Sequence, residues 1–147
     1  MSGEFLGTYT NSVNKQKWII IPATFKKKFN PMAKQTVIIT IGPEENIAIF
    51  PLDNWKEKIE GLKSGSDKDI KLMVALRTFA MSEQKVESSG RIKIGNELLE
   101  IARINEKVII KGEGNFISVW NPEKYLEFRK QELDEHKKTF NSLDYQK

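Results

Sequence analysis

Two stretches of this chain follow one plan, and that repetition limits the folds open to it more than any other feature. Residues 14–22 read Asn14-Lys15-Gln16-Lys17-Trp18-Ile19-Ile20-Ile21-Pro22, a polar, lysine-bearing turn running into an apolar strand and a helix-starting proline. Residues 87–95 read Glu87-Ser88-Ser89-Gly90-Arg91-Ile92-Lys93-Ile94-Gly95, the same order with Gly95 at the break. The copies are 73 residues apart, and Phe25 answers to Leu98 at the same shift. Val37 to Thr40 matches Val108 to Lys111 at 71, while Ile47 to Phe50 and Trp55 match Ile117 to Trp120 and Tyr125 at 70. Ordered matches whose spacing drifts by a few residues are what loop changes leave after a duplication. The unit is read as strand, turn, strand, helix, hairpin, helix, used twice.

Local patterns fill in the unit. Leu6 to Val13 mixes β-branched and aromatic residues with polar ones and predicts a strand. Trp18 to Ile21, a continuous apolar run, predicts a buried one. Pro22 suits the first position of a short helix with Phe25 and Phe29 inward and Lys26, Lys27 and Lys28 largely outward. Val37–Ile41 and Ile47–Phe50 predict strands around a Gly-Pro-Glu-Glu-Asn turn, and Asp53 is expected to cap a helix carrying Trp55, Ile59 and Leu62. Asp69 to Ala80 carries Ile70, Met73, Val74, Leu76 and Phe79 at helical spacing and is expected to pack between the halves. Asn96 is expected to cap a helix with Leu98, Leu99 and Ile101. Asn121-Pro122 opens a C-terminal helix with Leu126, Leu133 and Phe140 seven apart, a packed stripe or a partner-helix contact.

Charge is unevenly placed. Phe5 to Pro43 holds six lysines and no acid against a net charge of +4 for the whole chain, which leaves −2 for the remainder. Such a patch attracts polyanions, nucleic acid above all, or is a solvated face. The chain has no cysteine, which fits a reducing compartment and excludes disulfides, thiolate zinc and a Cys nucleophile. No run reaches the roughly 18 apolar residues of a membrane span, and Met1 to Phe5 lacks the pattern of a signal peptide, so a cytoplasmic protein is expected. The only histidine, His136, sits among charges, and no phosphate-binding glycine loop, dinucleotide fingerprint or Ser-His pair occurs. The carboxylates Glu44-Glu45 and Glu97 with Glu100 read as ordinary surface. No enzyme, cofactor, metal or small-molecule substrate is expected.

These residues resemble the MraZ family, within the swapped-hairpin group that includes the AbrB-like regulators. Its members carry two tandem copies of Asp-x-x-x-Arg, usually Asp-x-Lys-Gly-Arg, followed by apolar residues and proline. In this chain the Asp positions hold Asn14 and Glu87, the first Arg is Trp18 or, with a one-residue slip, Lys17, and the second Pro is Gly95. Arg91 and Gly90 keep the motif's identities. The resemblance extends to Phe5-Leu6-Gly7-Thr8-Tyr9, Phe50 to Trp55 and Val119 to Tyr125, nearly the whole chain.

The resemblance implies a β-rich α+β fold, in which two tandem repeats form a double-split (swapped-hairpin) β-barrel with peripheral helices and a C-terminal helix. It implies one domain with repeat one at 5–62, a linker at 63–69, repeat two at 70–128 and a helical tail at 129–147. It further implies a nucleoid-associated bacterial regulator that binds short direct repeats in double-stranded promoter DNA as a ring-shaped homo-oligomer, usually repressing its own division and cell-wall genes. Lys15, Gln16 and Lys17 are expected to form the main DNA loop, with Ser89 and Arg91 in the second and Lys26, Lys27 and Lys28 as a supporting patch. Asn14, Trp18, Glu87 and Gly90 are expected to shape the turns. Arg91 can read guanine or pair with Glu87 four residues back, and the two roles are compatible. Trp18 is read as core or as a stacking surface at an interface. The competing reading is a ring-forming scaffold, or a nonspecific nucleoid protein, that has lost operator binding.

Overall fold

The computed structural model describes residues 1–143, so the last four residues of the expected tail lie outside it. The first half runs β1 (Thr8–Ser12), β2 (Trp18–Ile20), α1 (Ala23–Lys26), a 3-10 turn (Pro31–Ala33), β3 (Thr36–Ile41), β4 (Ile47–Pro51) and α2 (Leu52–Lys63). After α3 (Asp67–Thr78) the order returns as β5 (Gln84–Lys85), β6 (Arg91–Lys93), α4 (Asn96–Ile101), β7 (Lys107–Gly112), β8 (Ile117–Trp120) and α5 (Pro122–Leu143). The fold is α+β with a strand-rich antiparallel sheet. Among the described residues no helix is long and apolar enough to cross a membrane.

The large sheet has the order β1-β7-β8-β4-β3-β5, and β2 and β6 form a second, two-stranded sheet. That order reads alike from either end once the halves are exchanged. The two hairpins, β3-β4 and β7-β8, meet at the centre, where Ala48 lies opposite its own counterpart Ser118. At the edges each half gives its opening strand to the other half's hairpin: β1 pairs with β7, and β5 pairs with β3. In the small sheet Ile19 lies opposite its counterpart Ile92.

The apolar run of each half closes on one core. Phe5, Phe25 and Phe29 meet edge to face, with ring centroids 5.7 and 5.8 Å apart, and Ile19, Ile92, Val108 and Ile110 are fully buried around them. Strands β4 and β8 are buried along their length, as strands covered on both faces must be. At the far end Trp120 packs against Tyr125 and Phe128, which anchors the first turns of α5. Asn121 caps that helix, its Oδ1 accepting from the amides of Glu123 (2.8 Å) and Lys124 (3.2 Å). From Arg129 to Ser142 side chains are exposed apart from the half-buried Phe140; Leu126 and Leu133 are also exposed.

Several expectations are corrected. Pro51 leads straight from β4 into α2, so Asp53 is not the cap; its carboxylate accepts from the Ser2 amide (2.7 Å) and hydroxyl (2.8 Å) and ties down the N-terminus. Asn96 is the first residue of α4, with Gly95 at the cap. Helix α3 begins earlier than expected, at a capping box formed by Ser66 and Asp69. It packs on α2 and β3 rather than between the halves, and of its residues only Leu76 is buried. Ile70, Leu72, Val74 and the following Phe79 face solvent. Helical spacing shows that a helix forms, not which of its faces is covered.

Two glycines separate packing from propensity. A Cβ on Gly112 would stand 2.5 Å from the Phe5 carbonyl oxygen, where the chain start crosses the β7-β8 hairpin, whereas one on Gly61 in α2 would meet nothing within 4 Å. Gly112→Ala is expected to lower stability by about 2 kcal/mol, while Gly61→Ala raises it by about 0.5–1 kcal/mol, both read from urea unfolding midpoints.

Candidate functional site

The β2-β6 ribbon brings the two motif copies together. Its register sets Trp18 opposite Lys93 and Ile20 opposite Arg91. Alternation along a strand puts Ile19 and Ile92 on the inner face and leaves Trp18, Ile20, Arg91 and Lys93 on the outer one. Ile20 is 46% exposed, which corrects the expectation of a strand buried throughout. A turn stands at each end of the ribbon, residues 14–17 before β2 and residues 87–90 before β6.

The turns are built alike. Asn14 N–H donates to Trp18 O (3.0 Å) and Lys17 N–H to Asn14 O (3.0 Å); in the second copy Glu87 N–H donates to Arg91 O (3.1 Å) and Gly90 N–H to Glu87 O (2.8 Å). The ends interlock, with Ile21 N–H donating to Gly90 O and Ile94 N–H to Lys17 O, each at 2.9 Å. Asn11 and Gln84, another pair 73 apart, donate side-chain amides to the carbonyls of Ile20 and Lys93 at 3.0 Å each. This correspondence removes the one-residue ambiguity in the first copy. Lys17 matches Gly90 and Trp18 matches Arg91.

Both turns need a left-handed residue at their last position. Gly90 has φ 91° and Lys17 has φ 70°. Glycine adopts such a backbone freely, whereas a side chain is strained there. In the first turn Asn14 compensates, its Oδ1 accepting from the amides of Gln16 (3.0 Å) and Trp18 (2.9 Å). Glu87 instead turns to a side chain, its Oε1 accepting from Arg91 Nε at 3.0 Å and lying 2.9 Å from Nη2. The Arg91 guanidinium also lies over Trp18, 4.6 Å from the ring centroid. The two motif copies therefore touch through a diagonal cross-strand pair.

The remaining site residues divide by position. Lys15 and Gln16 are exposed at the tip of the first turn, and Ser89 at the tip of the second. Lys26 reaches the second turn and donates to Ser88 O at 3.2 Å, the exposed Lys27 lines a depression with Lys26, Ser88 and Ser89, and Lys28 turns away to Glu4 O at 2.7 Å. Two of the three expected patch lysines therefore lie beside the second turn. Beside the first turn lie two adjoining depressions, of about 650 and 400 Å3, that share Lys17 and Asn96. They add Lys93 and Arg103, which sequence reasoning did not single out; the repeat pointed to Lys93, since it lies in the second copy's strand. Among the described residues Lys15, Lys17, Lys93 and Arg103 make no ion pair. Among the described residues no group of three or more His, Asp or Glu side chains is placed to hold a metal ion. Glu100 lines the first depression with Lys17 and Arg103, but the four cations outweigh it, so the arrangement can bind an anion.

The sequence is similar to known proteins over most of its length. A protein of Oenococcus oeni named transcriptional regulator MraZ is 31% identical over 130 residues, covering 84% of this chain and 85% of its own. One of the same name from Dictyoglomus thermophilum is 31% identical over 131 residues, covering 87% and 86%. The chain belongs to the MraZ family. A further MraZ, from Clostridium tetani, is 27% identical over 132 residues, or 88% and 90% of the two chains. No protein-family model matches the sequence, in keeping with a divergent MraZ member.

Lys17→Gly should relieve the left-handed lysine and raise stability by about 0.5–1 kcal/mol in urea unfolding. Gly90→Ala, whose Cβ would stand 2.9 Å from the Ile21 carbonyl oxygen, should lower it.

Proposed function

We propose that this MraZ-family chain is a sequence-specific DNA-binding transcriptional regulator that acts through the outer face of the β2-β6 ribbon and its two turns. The observation that carries the reading is the gathering of both motif copies on one exposed ribbon, beside four cations that make no ion pair among the described residues and outweigh the nearby Glu100. A two-stranded ribbon fits the major groove of B-DNA, where an arginine fork can pair with guanine N7 and O6. Lys15 and Lys17 of the first turn neutralise phosphates and release counterions. Lys15, Gln16 and Lys17 contact the backbone in this reading, and Ser89 and Arg91 approach it from the other turn. The protein is read as a nucleoid-associated repressor of its own division and cell-wall genes, acting on short direct repeats.

The fold is read as a double-split, swapped-hairpin barrel made from repeats at 5–62 and 70–128, joined by 63–69 and followed by the tail from 129. The exchange of opening strands between the hairpins supports this. A ring of copies is supported by α3, whose exposed Leu72 lines an apolar groove of about 270 Å3 with Ile41, Ala48, Phe50 and Phe116. Copies that present one ribbon each multiply weak contacts on repeated sites.

Polarisation of a labelled duplex from the gene's own upstream region, against a scrambled one at several salt concentrations, tests the reading. A preference for the native duplex with a steep salt dependence is expected. Equal binding to both would replace it with a nonspecific nucleoid protein, and no binding at low salt with a scaffold. In the double variant Lys15→Ala, Lys17→Ala the salt slope should fall by about 2, one for each phosphate no longer neutralised. In Leu72→Asp the mass by light scattering should fall, and affinity for a duplex with several repeats should fall more than for one repeat.

A further inference from the structure

Arg91 is held from two sides before any ligand arrives. Glu87 occupies the Nε–Nη2 edge of its guanidinium through one carboxylate oxygen, at 3.0 and 2.9 Å. Trp18 covers one face, with the ring centroid 4.6 Å from the guanidinium carbon. What remains is the outer Nη1–Nη2 end of the fork and the opposite face, on a side chain 44% exposed. An arginine free to sample its rotamers must be ordered on binding, and one already fixed loses less. Trp18 occupies in the first copy the position that Arg91 holds in the second. The first turn therefore offers no fork of its own; its lysines act as point charges, which hold a backbone but do not tell bases apart.

We propose that Trp18 is a specificity-determining positioning residue: its ring, with Glu87, presets Arg91 so that the outer end of the fork meets a base edge in the major groove. One side chain of the first motif copy thereby serves the base reader of the second. This rests on the DNA-binding reading above and deepens it.

The test begins with a duplex selected by the wild-type protein from a randomised pool, and compares affinity for it with affinity for a scrambled duplex. Trp18→Leu, which keeps an apolar side chain on the ribbon but removes the aromatic face, is expected to lose about three- to tenfold on the selected duplex, the size of a partly exposed cation–π contact. Affinity for the scrambled duplex and the salt slope should stay as in the wild type. Trp18→Phe should recover most of the preference. In an Arg91→Ala background, Trp18→Leu should cost nothing further. Should Trp18→Leu fail to fold, Trp18→Met is required to give the same pattern. Equal losses on both duplexes, no loss on either, or the same loss with and without Arg91 would overturn the proposal while leaving DNA binding in place. A wild-type protein that selects no duplex would overturn the DNA-binding reading and this proposal with it.

Discussion

The pairing of β2 with β6 is the contact on which everything else in this molecule depends. Ile19 and Ile92, equivalent residues of the two copies, face each other across it and are buried. A two-stranded ribbon is marginal alone in water, so its apolar face must be covered. Phe25 of α1 and its counterpart Leu98 of α4 supply that cover along with the large sheet. One face spent on the core leaves the other to solvent. The strand part of the candidate site is the outer surface of the same two strands, so the core fixes its geometry and anchors the turns that carry the rest.

The two turns have matching backbone scaffolds, and their side chains differ in complementary ways. The first turn tolerates a left-handed Lys17 because the Asn14 side chain satisfies two of its amides. The second has glycine at that position, and its acidic residue is free to grip Arg91. The exposed Glu87–Arg91 pair is worth little as stability, about 0–1 kcal/mol. Its effect is orientation, and Trp18 adds to that from the other copy.

Much of this could be read from the sequence, because repetition and alternation are local and periodic. The strands, the two turns and the Glu87–Arg91 pairing distance all follow from spacing. What escaped was set by contacts between distant segments. Trp18 heads an apolar run and reads as core or as a stacking surface, and only strand alternation through the buried Ile19 decides for the outside. Asp53 has the chemistry of a cap but is drawn to Ser2, and α3 has an apolar pattern whose exposed face no rule of spacing could reveal. Lys93 and Arg103 join the site because β6 and the end of α4 lie beside the first turn, a matter of topology alone.

The crossed strands also govern how the chain can reach its native state. Strand β1 finds its partner only in β7, roughly a hundred residues later, and β5 must return to β3. Contacts so distant in sequence require loop closure before they stabilise anything, which slows folding relative to a chain with local pairings. During synthesis from the N-terminus, the opening strand has no ladder to join until most of the polypeptide has been made. Neither half completes its own sheet, so the molecule gains its order late and nearly all at once.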